Sequence, residues 1–388
     1  MLKSLNIKRI KFILILILAA LGMVSILQGC KNACMYSQDF QWDAAKVLTL
    51  GMDPYDESLN PSPQLKALGY EEYYLQMEAN QFPSLLLLLF PYTLLPPLAA
   101  RYAWLISNLI FTVAVALLMR KLFFKDTDIQ DFTLVILMMI AGTPWRNHIG
   151  VGQHTIFAFM FFLLSLYLYE KAYGKKGLLF LAAMALSVSY FKYTLTAPLA
   201  LYYIYKKRYG VFALSILPHI LLTGFAALYL RDSFINMIKK PLEVASWLSG
   251  EGSLDLGSIL TKITGSEIFR SPILTLVFML LLLAFVLLYN GKDDISLLSV
   301  LTLAALIITY HRSYDFFVMV LPFAGFLRKG SGKKLLYAYI ILTAIIFWCL
   351  RIFHESDLSL ILAAAYYYLF FIIFLKQTAC SRQNSSGI

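Results

Sequence analysis

Apolar stretches of roughly 15–22 residues recur along almost the whole chain, beginning with "FILILILAALGMVSILQG". A run of that length is what an α-helix needs to cross a hydrocarbon layer about 30 Å thick. In lipid only helices and closed barrels satisfy their own backbone. No segment alternates with the period of two that a membrane barrel shows. With 60% hydrophobic residues, 14% charged and a mean hydropathy of +0.71, little remains from which to build a soluble domain. The sequence predicts an all-α, polytopic membrane protein organised as a single domain over residues 1–388.

The net charge of +11 does not point to nucleic acid, because the basic residues sit in short clusters between apolar segments. These are Lys8, Arg9 and Lys11; Arg120, Lys121 and Lys125; Lys171, Lys175 and Lys176; Lys206, Lys207 and Arg208; and Arg328, Lys329, Lys333 and Lys334. Clusters of this kind fix orientation through the positive-inside bias. Placing them all in the cytoplasm predicts about twelve crossings of the cytoplasmic membrane, with both termini inside and 377–388 as a cytoplasmic tail. Residues 82–119 hold apolar length for two helices, but two crossings there would invert every later cluster. The proline-broken "FPSLLLLLFPYTLLPP" is therefore read as a short or re-entrant piece before one crossing. Two short crossings flank Lys192, and late ones are expected at 335–352 and 357–375. Only Lys239 and Lys240 fall on the outside.

That map leaves 30–81 as a long first external loop and 231–270 as a second. The first gathers Asp39, Asp43, Asp53, Asp56, Glu57, Glu71, Glu72 and Glu78 against Lys31, Lys46 and Lys66. Ser37 as N-cap and Gly51 at the C-terminal end bound an expected interfacial helix over 38–50. Phe40, Ala44, Val47 and Leu48 would form its apolar face, with Asp39, Asp43 and Lys46 turned to solvent. "DPYD" reads as a turn, with Asp53 and Asp56 as its formers. Cys30 and Cys34 lie at the start of the loop, where the sequence leaves open whether they pair. No glycine-rich phosphate loop and no strand–helix alternation is present, which argues against nucleotide-dependent chemistry.

The ordered motifs "DFQWDAAKVLTLGMDPYD", "QFPSLLLLLFPYTLLPP", "GQHTIFAFMFF" and "LSVSYFKYTLTAPLALYYIYKKR" resemble those of glycosyltransferase family 87. These are GT-C-fold membrane enzymes related to phosphatidylinositol-mannoside mannosyltransferases. The resemblance runs from Asp39 to the "HRSYD" turn. It implies an inverting transfer of a hexose, mannose-like, from a polyprenyl-phosphate donor to a lipid-linked or glycan acceptor. It also implies a carboxylate base in the first external loop, and Asp39 matches that position, with Asp43 second. A lipid-phosphate leaving group needs cationic donors but neither a cofactor nor a nucleotide-bound metal. The outward turns offer Lys192, His311, Arg312, Arg146 and His148, with Gln153 and His154 placed to hydrogen-bond sugar or phosphate.

Each has a plainer reading. Lys192 ends an apolar helix, where a charge is functional by default unless it snorkels to the interface. Arg312 and Asp315, beside Tyr314, would pair as a turn cap, while Arg146 and His148 would anchor at headgroups. Two other classes share this composition. A lipid-linked sugar flippase should carry its charges within the bilayer, and a periplasmic polymerase or ligase usually keeps its essential loop late in the chain.

Overall fold

The computed structural model describes residues 2–35, 37–67, 78–125, 128–248, 255–291 and 293–329. Glu71, Glu72, the spans expected at 335–352 and 357–375, and the 377–388 tail lie outside the described residues. Among the described residues all regular structure is helical. In order the helices are α1 (Leu2–Met35), α2 (Trp42–Thr49), α3 (Pro54–Leu59), α4 (Pro63–Ala67), α5 (Pro83–Leu88), α6 (Phe90–Thr93), α7 (Pro97–Phe123), α8 (Ile129–Ala141) and α9 (Thr143–Val151). They continue with α10 (Thr155–Ala172), α11 (Lys176–Ser189), α12 (Tyr193–Tyr205), α13 (Tyr209–Leu230), α14 (Phe234–Leu248), α15 (Leu256–Thr264), α16 (Pro272–Leu288), α17 (Asp294–Ile308) and α18 (Val320–Lys329). Among the described residues five stretches are by length and composition apolar enough to cross a membrane, namely Lys8–Met35, Pro97–Phe123, Thr155–Ala172, Tyr209–Leu230 and, counted as one run, Lys176–Tyr205.

Proline explains the break before α7. Pro83, Pro91 and Pro97 each fall in the first turn of a new helix, where the missing N–H costs nothing. The apolar run 83–93 is thus two short helices, and the long α7 follows it. A second break sits inside Lys176–Tyr205. Tyr190–Lys192 tighten into a 3₁₀ turn, and Lys192 leaves helical geometry at φ −120°, ψ 67°. The chain then doubles back: the Tyr203 hydroxyl bonds Ser165 of α10, which also reaches Ala182 of α11. Two short antiparallel helices therefore meet at Lys192.

Contacts sort the charges by end. Lys11 pairs with Asp131, Arg120 lies over Phe132, Lys121 and Lys171 lie over Tyr167, Arg208 reaches Tyr169, and Lys206 pairs with Asp294. One end of the bundle thus holds the basic clusters from α1 to the α12–α13 turn. The other end carries the acidic loop, the α9–α10 turn, Lys192 and residues 309–315.

Two expectations about the first loop are corrected. Helix α1 continues to Met35, its last carbonyls taking hydrogen bonds from Arg101, so Cys30 and Cys34 are free thiols on its final turns. The helix expected at 38–50 is instead a 3₁₀ turn over Gln38–Phe40 and a separate α2. Ser37 and Gln41 both adopt left-handed φ, of 40° and 62°, which interrupts any continuous helix. Ser37 does not cap either; its hydroxyl donates to Ala33 of α1. Gly51 does take the left-handed closing position, at φ 77°. Nor does α2 lie on a surface: Ala44, Ala45, Val47 and Leu48 are fully buried, and it packs against α3, α5 and α6.

Asp53 caps α3 by accepting from Tyr55 and Asp56 N–H groups, then joins Asp56 and Asp232 around the Lys240 ammonium at 2.6, 2.8 and 3.0 Å. These charges tie α14 to the first loop in a partly exposed network, where ion pairs are each worth little. Lys240→Met should lower the melting temperature in detergent by roughly 1–3 °C, for a network worth about 1 kcal/mol. The gap between the proteins should narrow in about 0.5 M salt, which screens partly exposed charges. A salt-independent gap would mean that packing of the lysine stem, not charge, holds α14.

Candidate active site

The site is built where α9 turns into α10. Gly152 has φ +72° and closes α9, and a Cβ there would lie 3.2–3.3 Å from Ser37. That close approach seats the 38–40 turn on the α9–α10 corner: Ser37 N–H reaches the Gly150 carbonyl at 3.4 Å. Trp104 of α7 donates its indole N–H to Gly152 O at 2.7 Å and stacks on Phe40 at 4.9 Å. Gln153 Nε2 then donates to Asp39 Oδ2 at 3.0 Å, and His154 Nε2 to Phe40 O at 2.9 Å. Gln153 Oε1 accepts from His154 N–H at 2.9 Å, which fixes the amide orientation.

Opposite Asp39 stand the cations. Lys192, at the α11–α12 reversal, is nearly buried; its Nζ lies 3.5 Å from Asp315 Oδ2 and 5.6 Å from the centre of the Tyr314 ring. His311 Nδ1 donates to the same Asp315 oxygen at 2.9 Å, and Thr155 donates to the other. His311 Nε2 meets Thr309 Oγ1 at 3.0 Å. Arg312 Nε donates to Tyr310 Oη at 2.6 Å. The expected Arg312–Asp315 pair does not form, because Asp315 is fully buried beneath Lys192 and His311 and its carboxylate is already occupied.

Asp39 therefore sees charge on two sides. Burial raises its pKa above the ordinary carboxylate range, while Lys192, Arg312 and a hydrogen bond from Tyr314 pull it back. Glu78 is also raised, by burial and by neighbouring Asp39.

The structure brings Asp39, Gln153, His154, Lys192, His311, Arg312 and Tyr314 to one place. It sends the remaining candidates elsewhere. Arg146 donates to Gln28 of α1 at 3.0 Å. His148 is wholly buried against Phe317, accepting from Ile156 N–H, and is no headgroup anchor. Asp53 belongs to the Lys240 network. Asp43 is not the solvated carboxylate its helical spacing implied: it is half-buried and accepts from its neighbour Ala44 N–H at 2.9 Å. Asp315, expected only as a turn-cap partner of Arg312, completes the site together with Thr155, Tyr310 and Trp104, which the sequence did not single out. The spacing of His311 and Asp315 was the visible signal for the first. Among the described residues, no group of three or more His, Cys, Asp or Glu side chains is arranged to hold a metal ion.

Helices of bilayer length gathered around a buried carboxylate–cation cluster at one end define an integral membrane protein with a polar site. A sequence model of glycosyltransferase family 87 matches residues 83–322, well over half of the chain, and the chain belongs to that family. It is accordingly a membrane glycosyltransferase. The matched stretch contains Gln153, His154, Lys192, His311, Arg312 and Asp315; Asp39 lies before it. No curated protein and no solved structure matches the chain.

Asp43 supplies a test of the electrostatics. Burial pushes its pKa up to about 7, against an unfolded value near 3.9. The folded chain therefore holds a proton that the unfolded chain has lost. The resulting stability is fully present below pH about 4 and is lost as pH rises through 7. Asp43→Asn should remove this loss, so its melting temperature should exceed the wild type's by more at pH 8.5 than at pH 5. A pH-independent difference would show that Asp43 ionises freely in the folded protein.

Proposed function

We propose that the protein is an inverting hexosyltransferase using a polyprenyl-phosphate sugar, with Asp39 as its base and the outer face of the cytoplasmic membrane as its workplace. The observation that carries this reading is the placement of one carboxylate, Asp39, against Lys192 and Arg312. An acceptor hydroxyl gives its proton to Asp39 as its oxygen attacks the anomeric carbon. The bond from that carbon to the phosphate oxygen breaks on the opposite face, and the configuration inverts. The phosphate leaves with one more negative charge, which Lys192 and Arg312 receive. A carboxylate raised above its ordinary range is a better general base near neutral pH than a free one.

Asp315 gives the cations their place. It pairs with the Lys192 ammonium and accepts the His311 Nδ1–H hydrogen bond, which keeps both side chains beside the reacting phosphate rather than snorkelling outward. Gln153 and Tyr314 orient Asp39. The hexose is mannose-like and the acceptor a glycolipid or glycan, in keeping with the motifs of the family. About twelve crossings would put the acidic loop outside and the basic clusters inside.

Two measurements test the reading. Asp39→Asn keeps size and most hydrogen bonds but removes the proton acceptor, so transfer from synthetic polyprenyl-phosphate mannose should fall by roughly 10²–10⁴ with donor affinity retained. In the wild type, the acid limb of kcat/KM should lie above the ordinary carboxylate pKa. Near wild-type turnover in Asp39→Asn would remove it as the base. For sidedness, Ser62→Cys should react with an impermeant thiol reagent from outside intact cells and Tyr173→Cys only after lysis. The opposite pattern would invert the topology.

A further inference from the structure

One cavity at the loop end meets the site described above only through Tyr310. It is about 80 Å³ and lies between the start of α15, the 3₁₀ turn Glu267–Arg270, and the neighbouring ends of α16 and α17. Its apolar walls are Phe269, Leu274, Phe278 and Ile308, and its polar walls include Tyr310 and Asp255. A site enclosing a whole small ligand usually has roughly 300 Å³ or more, so this one fits a segment of a ligand.

Three observations say which segment. Tyr310 accepts the 2.6 Å hydrogen bond from Arg312, so the cavity abuts a cation of the active site. Ile273, Leu276, Val277, Leu280 and Leu281 of α16 are exposed, giving that helix the apolar outer surface of a lipid-facing element. Finally, the Asp255 carboxylate is fixed in place by Ser258, whose N–H and hydroxyl donate at 3.0 and 2.8 Å. A fixed negative charge on one wall and a guanidinium beyond another orient an anionic, amphipathic guest in one direction.

We propose that this crevice seats the isoprenoid carbons nearest the donor phosphate. The chain reaches it from the lipid-facing side of α16, and the phosphate lies at the Tyr310–Arg312 end, away from Asp255. This rests on the lipid-phosphate donor proposed above and names the side from which that donor reaches Asp39.

The test needs no variant at first. Wild-type protein in nanodiscs of phosphatidylethanolamine and phosphatidylglycerol is photolysed with a polyprenyl phosphate carrying a diazirine in its first isoprene unit. Peptides containing Leu274–Phe278 and Ile308–Tyr310 should be labelled, and unlabelled polyprenyl phosphate should compete, whereas added phosphatidylglycerol should not. Leu274→Trp, which fills the cavity, should raise KM for polyprenyl-phosphate mannose about tenfold or more. The same change at exposed Leu221 of α13 should leave KM within twofold. Label confined to other helices, or equal competition by phosphatidylglycerol, would overturn the crevice assignment, as would an unchanged KM in folded Leu274→Trp protein. If the wild type transfers from no polyprenyl-phosphate sugar, the donor reading itself fails. Transfer without labelling at α16 and α17 sinks the crevice alone.

Discussion

The arrangement depends on a carboxylate with no access to water. Asp315 is fully buried and collects Lys192, His311 and Thr155, which come from three separate parts of the chain. Burying one charge is costly, and removing the partner of a buried pair costs more than the pair itself contributes. The constraint is therefore mutual. The helix reversal at Lys192, the turn at 309–315 and the start of α10 must all be in place before the Lys192–Asp315 pair is tolerated. Asp39 then meets a preassembled positive wall instead of recruiting one.

Glycine and tryptophan do the same work for the carboxylate side. Gly152 lets the 37–40 segment touch the α9–α10 corner, Gly150 leaves room for Asn32 of α1, and Trp104 closes over the join. The geometry at Asp39 is thus fixed by backbone approach and an aromatic stack, not by the loop's own helix propensity. That explains why so acidic a loop can hold one carboxylate in register with Lys192, more than 150 residues away in sequence. Backbone contacts do not depend on which sequence the rest of the loop carries.

What the sequence disclosed follows from the range of each force. Apolar length and proline placement act locally, so the spans near α1, α7, α10 and α13, and the broken piece before α7, could be read directly. The positive clusters gave the grouping of ends, since one rule governs them all. Helical spacing misled at 38–50, because left-handed Ser37 and Gln41 answer to tertiary contacts that no periodicity records. It misled again at Asp43, whose surroundings come from α3, α5 and α6 packing on α2. Asp315 could be read from its four-residue spacing to His311, but the expectation paired it with Arg312. Its partnership with Lys192 spans more than a hundred residues and has no local signature.

The shortness of the helices on either side of Lys192 has a mechanical consequence for the membrane. With 14 and 13 residues, α11 and α12 rise only about 20 Å each, well short of a hydrocarbon thickness near 30 Å. Phe180 and Leu181 on α11 are exposed, so part of this short pair meets the surroundings directly. A bilayer matched to the long helices α1 and α7 must dip or admit water around it. On the proposed assignment of Lys192 to the donor phosphate, the reaction centre sits at the bottom of a local thinning, where a lipid-linked sugar descends to the lysine instead of the lysine stretching upward. Bilayer thickness becomes a variable of the chemistry: thin membranes ease the meeting of sugar and cation, and thick ones oppose it.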